Sequence, residues 1–536
     1  MAVLQLTLKH AGKSYPINLD TSTSAAEFKD LIYRQTGVPT DKVKVPVKGG
    51  MLKDDADLSK LGFKAGQTVM VIGPAGPIPQ APAKPIVFME DMTDIELAQT
   101  SRLPVGLTNL GNTCYMNSTV QVLRAIPELQ TALNGASAPP VQPDARLAHS
   151  LRDLYQSMGR TTEGFPPLAF LSMLRQFAPQ FAEQSRQGGG YAQQDAQEAW
   201  GAIVQAVKST AVGAGGRFVE EQLMGEFEKT LKSAEAPDEA PTVLKEPFLE
   251  VKCNISMQTN YMMQGIAESM EQDIEKNSPS LGRQAVYKET TRIARLPSYL
   301  TVNLVRFYWR RDINKKTKIM RKVKFPFDLD ASDLVTDELK RKILPVNERL
   351  KAVDKDRRER AKARRKSRKQ ADAAAASSST PAPAAVQPVQ ATPEDDPPEE
   401  MLVDPSTTAG ELPDEETARQ EEHAVLQSLV HPDLLADEGA NVSGLYELVG
   451  VVSHKGASAD GGHYIAWCAA PRPNQSSSDD EKAKDEELYE DPDRQPWYRF
   501  DDDKVTEVTR EKIMGLEGGG EDHSAYILLY RSKALA

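Results

Sequence analysis

Hydrophobic residues along this chain recur at different periods, and the places where the period changes divide it. Leu4, Leu6 and Leu8 alternate with polar residues, and after a turn containing Gly12 a second alternating run spans Tyr15 to Leu19, so two strands are predicted. The period then lengthens. Phe28, Leu31 and Ile32 mark one face of a helix from Ala25 to Gln35, with Thr23 or Ser24 as its cap and Gly37-Val38-Pro39 as its end. Short strands are predicted around Val43 to Val47 and Thr68 to Val71, and Pro74, Pro77, Pro79, Pro82 and Pro85 then make an extended linker. A short helix is expected near residues 90–98. A helical period returns at Val120, Leu123 and Ile126 and stops at Pro127. Beyond it, the segment from Arg146 to Phe181 alternates helical stretches with breaks, and Ala199, Trp200, Ile203 and Val207 form another helical face. Leu296 to Phe307 is nearly continuous in apolar residues without helical period, which predicts a buried strand. Strands are also expected from Gly444 to Ser453, after Gly461-Gly462, and from Ser524 to Tyr530.

One region breaks every pattern. From about Lys340 the chain is densely basic, then rich in Ala, Ser and Pro, then acidic between Glu394 and Glu422. Such a segment buries too little apolar area to offset its chain entropy, so a largely disordered insertion is expected from about 340 to 440, with helix in its basic part. The basic run suits a nuclear signal or an RNA contact as well as a solvated surface. A second acidic insertion lies between Asp479 and Asp491.

At 536 residues the chain has room for more than one domain. Its three cysteines, Cys114, Cys253 and Cys468, contain no C-x-x-C pair, which argues against a disulfide framework and a cysteine-only zinc site. No charged segment followed by a long apolar run opens the chain, and no stretch approaches membrane-spanning length. A soluble protein of cytoplasm and nucleus is expected, without a membrane partner. A net charge of −12 carries no overall nucleic-acid signature, and no nucleic-acid partner is expected.

The chemistry concentrates in three strings. In Gly106-Leu107-Thr108-Asn109-Leu110-Gly111-Asn112-Thr113-Cys114-Tyr115-Met116-Asn117-Ser118, a loop delivers Cys114 to the start of a helical pattern. The unpaired N–H groups there favour a thiolate, the form that acts as a nucleophile. Asn109 supplies a short amide able to donate to a developing oxyanion. In Gly461-Gly462-His463-Tyr464, two glycines let a substrate backbone approach an imidazole. Trp497-Tyr498-Arg499-Phe500-Asp501-Asp502-Asp503 offers an acid to orient it.

Together these strings resemble the cysteine and histidine boxes of the ubiquitin-specific proteases, and Gln193-Gln194-Asp195-Ala196 resembles a further box of that family. Residues 1–73 resemble ubiquitin in element order, but they end in Val71-Ile72-Gly73-Pro74 and lack a terminal Gly-Gly, so they read as a docking module.

The resemblance implies an α+β chain. A β-grasp ubiquitin-like domain spans 1–73, and a linker with a short helix spans 74–102. A papain-like catalytic domain of fingers, palm and thumb spans 103–532, interrupted by the insertion. The implied activity is thiol-dependent hydrolysis at the C-terminal glycine of ubiquitin. Cys114 would be the nucleophile, His463 the base, Asp501 the acid and Asn109 the oxyanion donor. Asp502 is an alternative to Asp501. Gln193, Asp195 and Tyr464 would bind the ubiquitin tail, with helix capping an alternative role for Asp195. Many relatives hold zinc with two C-x-x-C pairs; only Cys253 stands in that region, so neither metal nor cofactor is expected. The expected partners are ubiquitin, its conjugates and, through residues 1–73, the regulatory particle of the proteasome, with the free chain a monomer.

Overall fold

The computed structural model describes residues 3–48, 50–74, 92–100, 103–135, 141–185, 189–210, 217–310, 315–378, 415–457, 461–471, 495–520 and 522–535. They form two compact units, divided between Asp91 and Met92. Most of the Pro-rich linker and all of the acidic insertion after His463 lie outside the described residues.

In the first unit, β1 (Val3–His10) pairs antiparallel with β2 (Lys13–Asp20) and parallel with β3 (Thr68–Met70), and α1 (Ala25–Thr36) crosses the sheet. Ser24 and Glu27 form a reciprocal capping box, and Gly37 closes the helix at φ 73°. Leu6, Leu8, Ile17, Phe28, Ile32 and Val69 make its core. The expected β-grasp order is observed.

The second unit is built on an eight-stranded sheet. The first of its helices to matter here are α2 (Cys114–Arg124), α3 (Pro143–Met158) and α4 (Ala196–Thr210). A four-stranded sheet follows from β4 (Gly225–Ser233), β5 (Thr242–Phe248), β7 (Glu271–Asn277) and β8 (Gln284–Arg295), in the order β5-β4-β8-β7. Between them in sequence, β6 (Val251–Asn254) joins the large sheet beside β9 (Tyr299–Val305). β10 (Phe307–Arg310) and β11 (Lys315–Lys318) form a hairpin, and β12 (Asp328–Asp330) pairs with β13 (Leu445–Lys455). The sheet is completed by β14 (His463–Ala469), β15 (Trp497–Asp501), β16 (Lys504–Val508) and β17 (Ser524–Ser532). Its order is β16-β15-β14-β13-β17-β9-β6.

Two cores flank this sheet. On one face α2, α3 and α4 pack through Val120, Leu123, Leu151, Ile203 and Val207. A Cβ on Gly450 would lie 2.6 Å from Val122, so this glycine lets α2 sit directly on β13. On the other face Ile465, Trp467, Leu528 and Tyr530 share a core with Leu339, Ile343, Val346 and Leu350. Each such side chain, fully buried, contributes about 2 kcal/mol.

Those last four residues correct the expectation of a largely disordered insertion. They belong to α5 (Asp337–Ser378), and α6 (Glu415–Ser428) packs against it, with Leu426, Val430 and Leu434 also buried. The apolar stripe of α5, from Leu339 to Val353, continues as Arg357, Arg360 and Arg364, which pair with Glu415 and Glu422 of α6. Composition hid this because the stripe turns from apolar to charged along α5. Residues 379–414 lie outside the described residues.

Candidate active site

The cysteine loop is tied to the turn after β15. The Leu107 amide donates to the Asp502 carbonyl at 2.9 Å, and a Cβ on Gly106 would lie 2.5 Å from the Asp503 carbonyl oxygen. Asp502 sits at φ 55°, a left-handed conformation that a short acid tolerates. Its carboxylate accepts from the Asn109 amide at 2.9 Å and the Asn117 amide at 2.8 Å. The Asn109 oxygen in turn accepts the Gly111 and Thr113 amides at 2.9 and 3.3 Å, shaping the entry to α2. Cys114 therefore opens α2 from a loop held on both sides, and it is only 2 % exposed.

The imidazole of His463, at the head of β14, faces the Cys114 thiol on one side. On the other, its Nε2 lies 2.6 Å from Oδ1 of Asp501. The facing Cys114 thiol, aided by Asp501 and opposed by burial, pushes the imidazole up to about 9. For Asp501, burial acts to raise the carboxyl, but the His463 hydrogen bond and the Arg499 charge prevail and hold it below its ordinary range. Oδ2 of Asp501 accepts from Arg499 at 2.6 Å. Between the two adjacent acids the division is clear in space: Asp501 faces the imidazole, and Asp502 faces the cysteine loop. His463, Asp501 and Asp502 offer ligand atoms within 4.8 Å of one another, but Arg499, Asn109 and Asn117 already engage these carboxylates, so the cluster is a hydrogen-bonded network.

The remaining sequence-derived residues are placed unevenly. The Gln193 amide lies 3.9 Å from the Cys114 sulfur. Asp195 is buried; its Oδ1 accepts the Gln197 amide at 2.9 Å, capping α4, and the Tyr526 hydroxyl at 2.7 Å. Tyr464 corrects an expectation. It alternates away from His463 along β14 and is 1 % exposed, between the rings of His454 and Tyr526, so its side chain has no open surface for a substrate. Its hydroxyl and both nitrogens of His454 lack a well-formed hydrogen bond, although the Ala196 backbone acts on the hydroxyl and the Gly461 backbone on the imidazole. Burial, aided by the Lys318 charge, pushes His454 down to about 3. Buried Lys318 donates its Nζ to the His454 carbonyl at 2.6 Å, and its amide donates to the Ala457 carbonyl at 3.2 Å. The β10–β11 hairpin is thus pinned to the start of the loop before His463. Residues 458–460 of that loop lie outside the described residues.

Sequence reasoning missed Asn117, Arg499, His454 and Lys318. Arg499 carried a legible signal, since it stands two residues before Asp501 on a strand and so shares its face. The others are brought in by non-local pairing.

A family model described as ubiquitin carboxyl-terminal hydrolase matches residues 105–530, and one described as the ubiquitin family matches residues 6–74. Among curated relatives, ubiquitin carboxyl-terminal hydrolase 6 of Schizosaccharomyces pombe is 39 % identical, covering 100 % of both chains. Ubiquitin carboxyl-terminal hydrolase 6 of Arabidopsis thaliana is 33 % identical over 96 % of both. Ubiquitin carboxyl-terminal hydrolase 14 of Caenorhabditis elegans is 30 % identical, over 99 % of this chain and 94 % of its own.

Proposed function

This chain belongs to the ubiquitin carboxyl-terminal hydrolase family and is a cysteine-type deubiquitinase, and from that premise we propose how its residues divide the work and where it acts. The thiolate of Cys114 attacks the carbonyl of ubiquitin's terminal glycine. His463 takes the thiol proton and returns it to the leaving lysine amine, then activates water to release the acyl-enzyme. Asp501 fixes the imidazole tautomer and steadies the imidazolium. Asn109, one N–H of which is held by Asp502, presents the other to the oxyanion with nearby backbone amides. The observation that carries this reading is the convergence at the start of α2 of Cys114, His463 and Asp501, with the imidazole 2.6 Å from the acid and facing the thiol. A ubiquitin C-terminal electrophile should label Cys114, and labelling should vanish in Cys114→Ala; labelling that persists there sinks the assignment.

The tail of ubiquitin is assigned to the space beside Gln193, Asp195 and His454. Support comes from the buried polar atoms there, which an extended chain's amides and carbonyls would satisfy. Asp195 keeps a carboxylate beside that path for the tail's arginines, in addition to its capping role. Because His454 is sealed in, admission requires the β10–β11 hairpin, pinned through Lys318 to the His454 and Ala457 carbonyls, to part from the end of β13.

Residues 1–73, which match the ubiquitin family but end without Gly-Gly, are assigned to docking on the proteasome's regulatory particle, in cytoplasm and nucleus. Docking should then release the loop before His463 as well as tether the enzyme. At saturating small ubiquitin-fluorophore, tethering alone cannot raise the rate, whereas loop release does. A maximal rate unchanged by proteasome lacking its own deubiquitinase activity would leave tethering only.

A further inference from the structure

Along β15, alternation places Arg499 and Asp501 on one face, while Tyr498 and Phe500 enter the core with the helices. Asp501 is gripped at both oxygens, Oδ1 by His463 and Oδ2 by Arg499, each at 2.6 Å. A carboxylate held at one oxygen turns easily about its last torsion, which has only broad minima. Held at two, it is fixed. Arg499 is itself supported. Its cross-strand partner is Trp467, whose ring lies 5.6 Å from the guanidinium, and Trp467 donates its Nε1 to Ser453 at 2.8 Å. Ser453 lies 3.3 Å from Nδ1 of His523. The side chains of Arg499 and Asp501 are 31 % and 28 % exposed, so water screens their pairing less than it would on an open surface.

We propose that Arg499 is a positioning residue of this enzyme, clamping Asp501 by its second oxygen so that the first stays aimed at His463. This rests on the reading that His463 and Asp501 serve the Cys114 thiol. The guanidinium acts through the acid and touches neither substrate nor sulfur. It has two separable effects. Its hydrogen bond fixes the carboxylate, which sets how often the imidazole is correctly oriented. Its charge neutralises part of that carboxylate, which limits how tightly His463 holds its proton. Other charged or titratable groups face this cluster: Cys114 from α2, Asp502, Lys504 opposite Asp501 on β16, Lys455 at the end of β13, and Asp522 and His523 before β17. Of these, none is shown donating to Oδ2 of Asp501, so none is placed to take over from Arg499.

The test uses the full chain and a ubiquitin-fluorophore substrate, with kcat and KM followed across pH. Arg499→Ala, which loses both effects, should lower kcat about tenfold or more with KM changed less than about twofold. Arg499→Lys, which keeps the charge and one donor, should recover kcat to within about threefold. Arg499→Gln keeps a donor and loses the charge, so the alkaline limb of kcat/KM should move up by about half a pH unit. Wild-type kcat in Arg499→Ala overturns the proposal. So does a loss that Lys does not recover and that comes with a lowered melting temperature, or an alkaline limb unmoved in Arg499→Gln. His463→Ala separates the layers: if it retains turnover, the reading of His463 falls and takes this proposal with it, whereas if it is inactive, the Arg499 variants judge the clamp alone.

Discussion

Arg306 and His454 flank the same strand, β17, and both are buried to within 1 % of full exclusion, yet their surroundings are opposite. Arg306 is fully wired to main chain. Its Nε donates to the Ala525 carbonyl at 2.6 Å, and its two terminal nitrogens donate to the carbonyls of Arg321 and Glu517 at 2.8 and 3.1 Å. Burial pushes it down to about 10, which leaves it charged at neutral pH. His454 has the same depth and no well-formed hydrogen bond to its ring, and the Tyr464 hydroxyl beside it shares that condition. A satisfied buried charge locks the segments it bridges, here the ends of β9, β11 and β17. Unsatisfied buried polar groups cost stability, and they persist where a ligand completes them. One region is therefore frame, and the other is where the ubiquitin tail is proposed to pass.

The largest effect that would sharpen this contrast lies at the site. Cys114→Ala should lower turnover of a ubiquitin-fluorophore by about a thousandfold or more while ubiquitin binding, measured by titration, is largely retained. The mutation removes little volume, so a parallel loss of binding would mean that Cys114 is a packing residue. Next comes the frame. Arg306→Met strands several buried carbonyls and should cost about 3 kcal/mol or more of unfolding free energy in denaturant titration. A variant as stable as wild type would remove Arg306 from the frame.

His454→Phe reverses that pattern. It removes unpaired polar atoms without opening a cavity, so stability should hold or rise by about 1 kcal/mol. KM for ubiquitin substrates should rise about fivefold or more, because the tail loses a partner and room. An unchanged KM would exclude His454 from the tail path. The same variant tests a pH effect. His454 is held near 3 in the folded chain against an ordinary 6.5, so the unfolded chain binds the extra proton between those values. Stability must then fall as pH drops from 6.5 towards 3, and His523, held near 4, adds to that fall. His454→Phe should shallow the acid decline in melting temperature while leaving the part due to His523. The imidazole of His463 runs the other way: raised to about 9, it stabilises below 6.5 and loses that contribution as pH rises through 9.

The smallest expected change concerns α5 and α6. Their Arg–Glu ladder has side chains 12–26 % exposed, and Glu422→Gln should cost about 1 kcal/mol, with high salt reducing the difference. A loss of more than about 3 kcal/mol would place this ladder with Arg306 among the rigid frame.

The sequence alone determined the ubiquitin-like unit, a buried strand within Leu296 to Phe307, and the loop that delivers Cys114 to a helix start. These are local. Alternation, helical spacing, caps and glycine turns act over a few residues, so they can be read without knowing what they pack against. It also placed Cys114, His463 and Asp501 in three strings that the structure brings together. Tertiary structure decided what depends on distant partners. It divided Asp501 from Asp502, because only the fold shows which acid faces the imidazole and which ties down Asn109 and Asn117. It buried Tyr464 by the alternation of β14 against a helical layer that the string Gly461-Gly462-His463-Tyr464 does not contain. It ordered α5 and α6, whose charges read as solvated until Arg357, Arg360 and Arg364 meet Glu415 and Glu422 more than fifty residues away. Composition counts charges, and burial depends on where their partners come to lie.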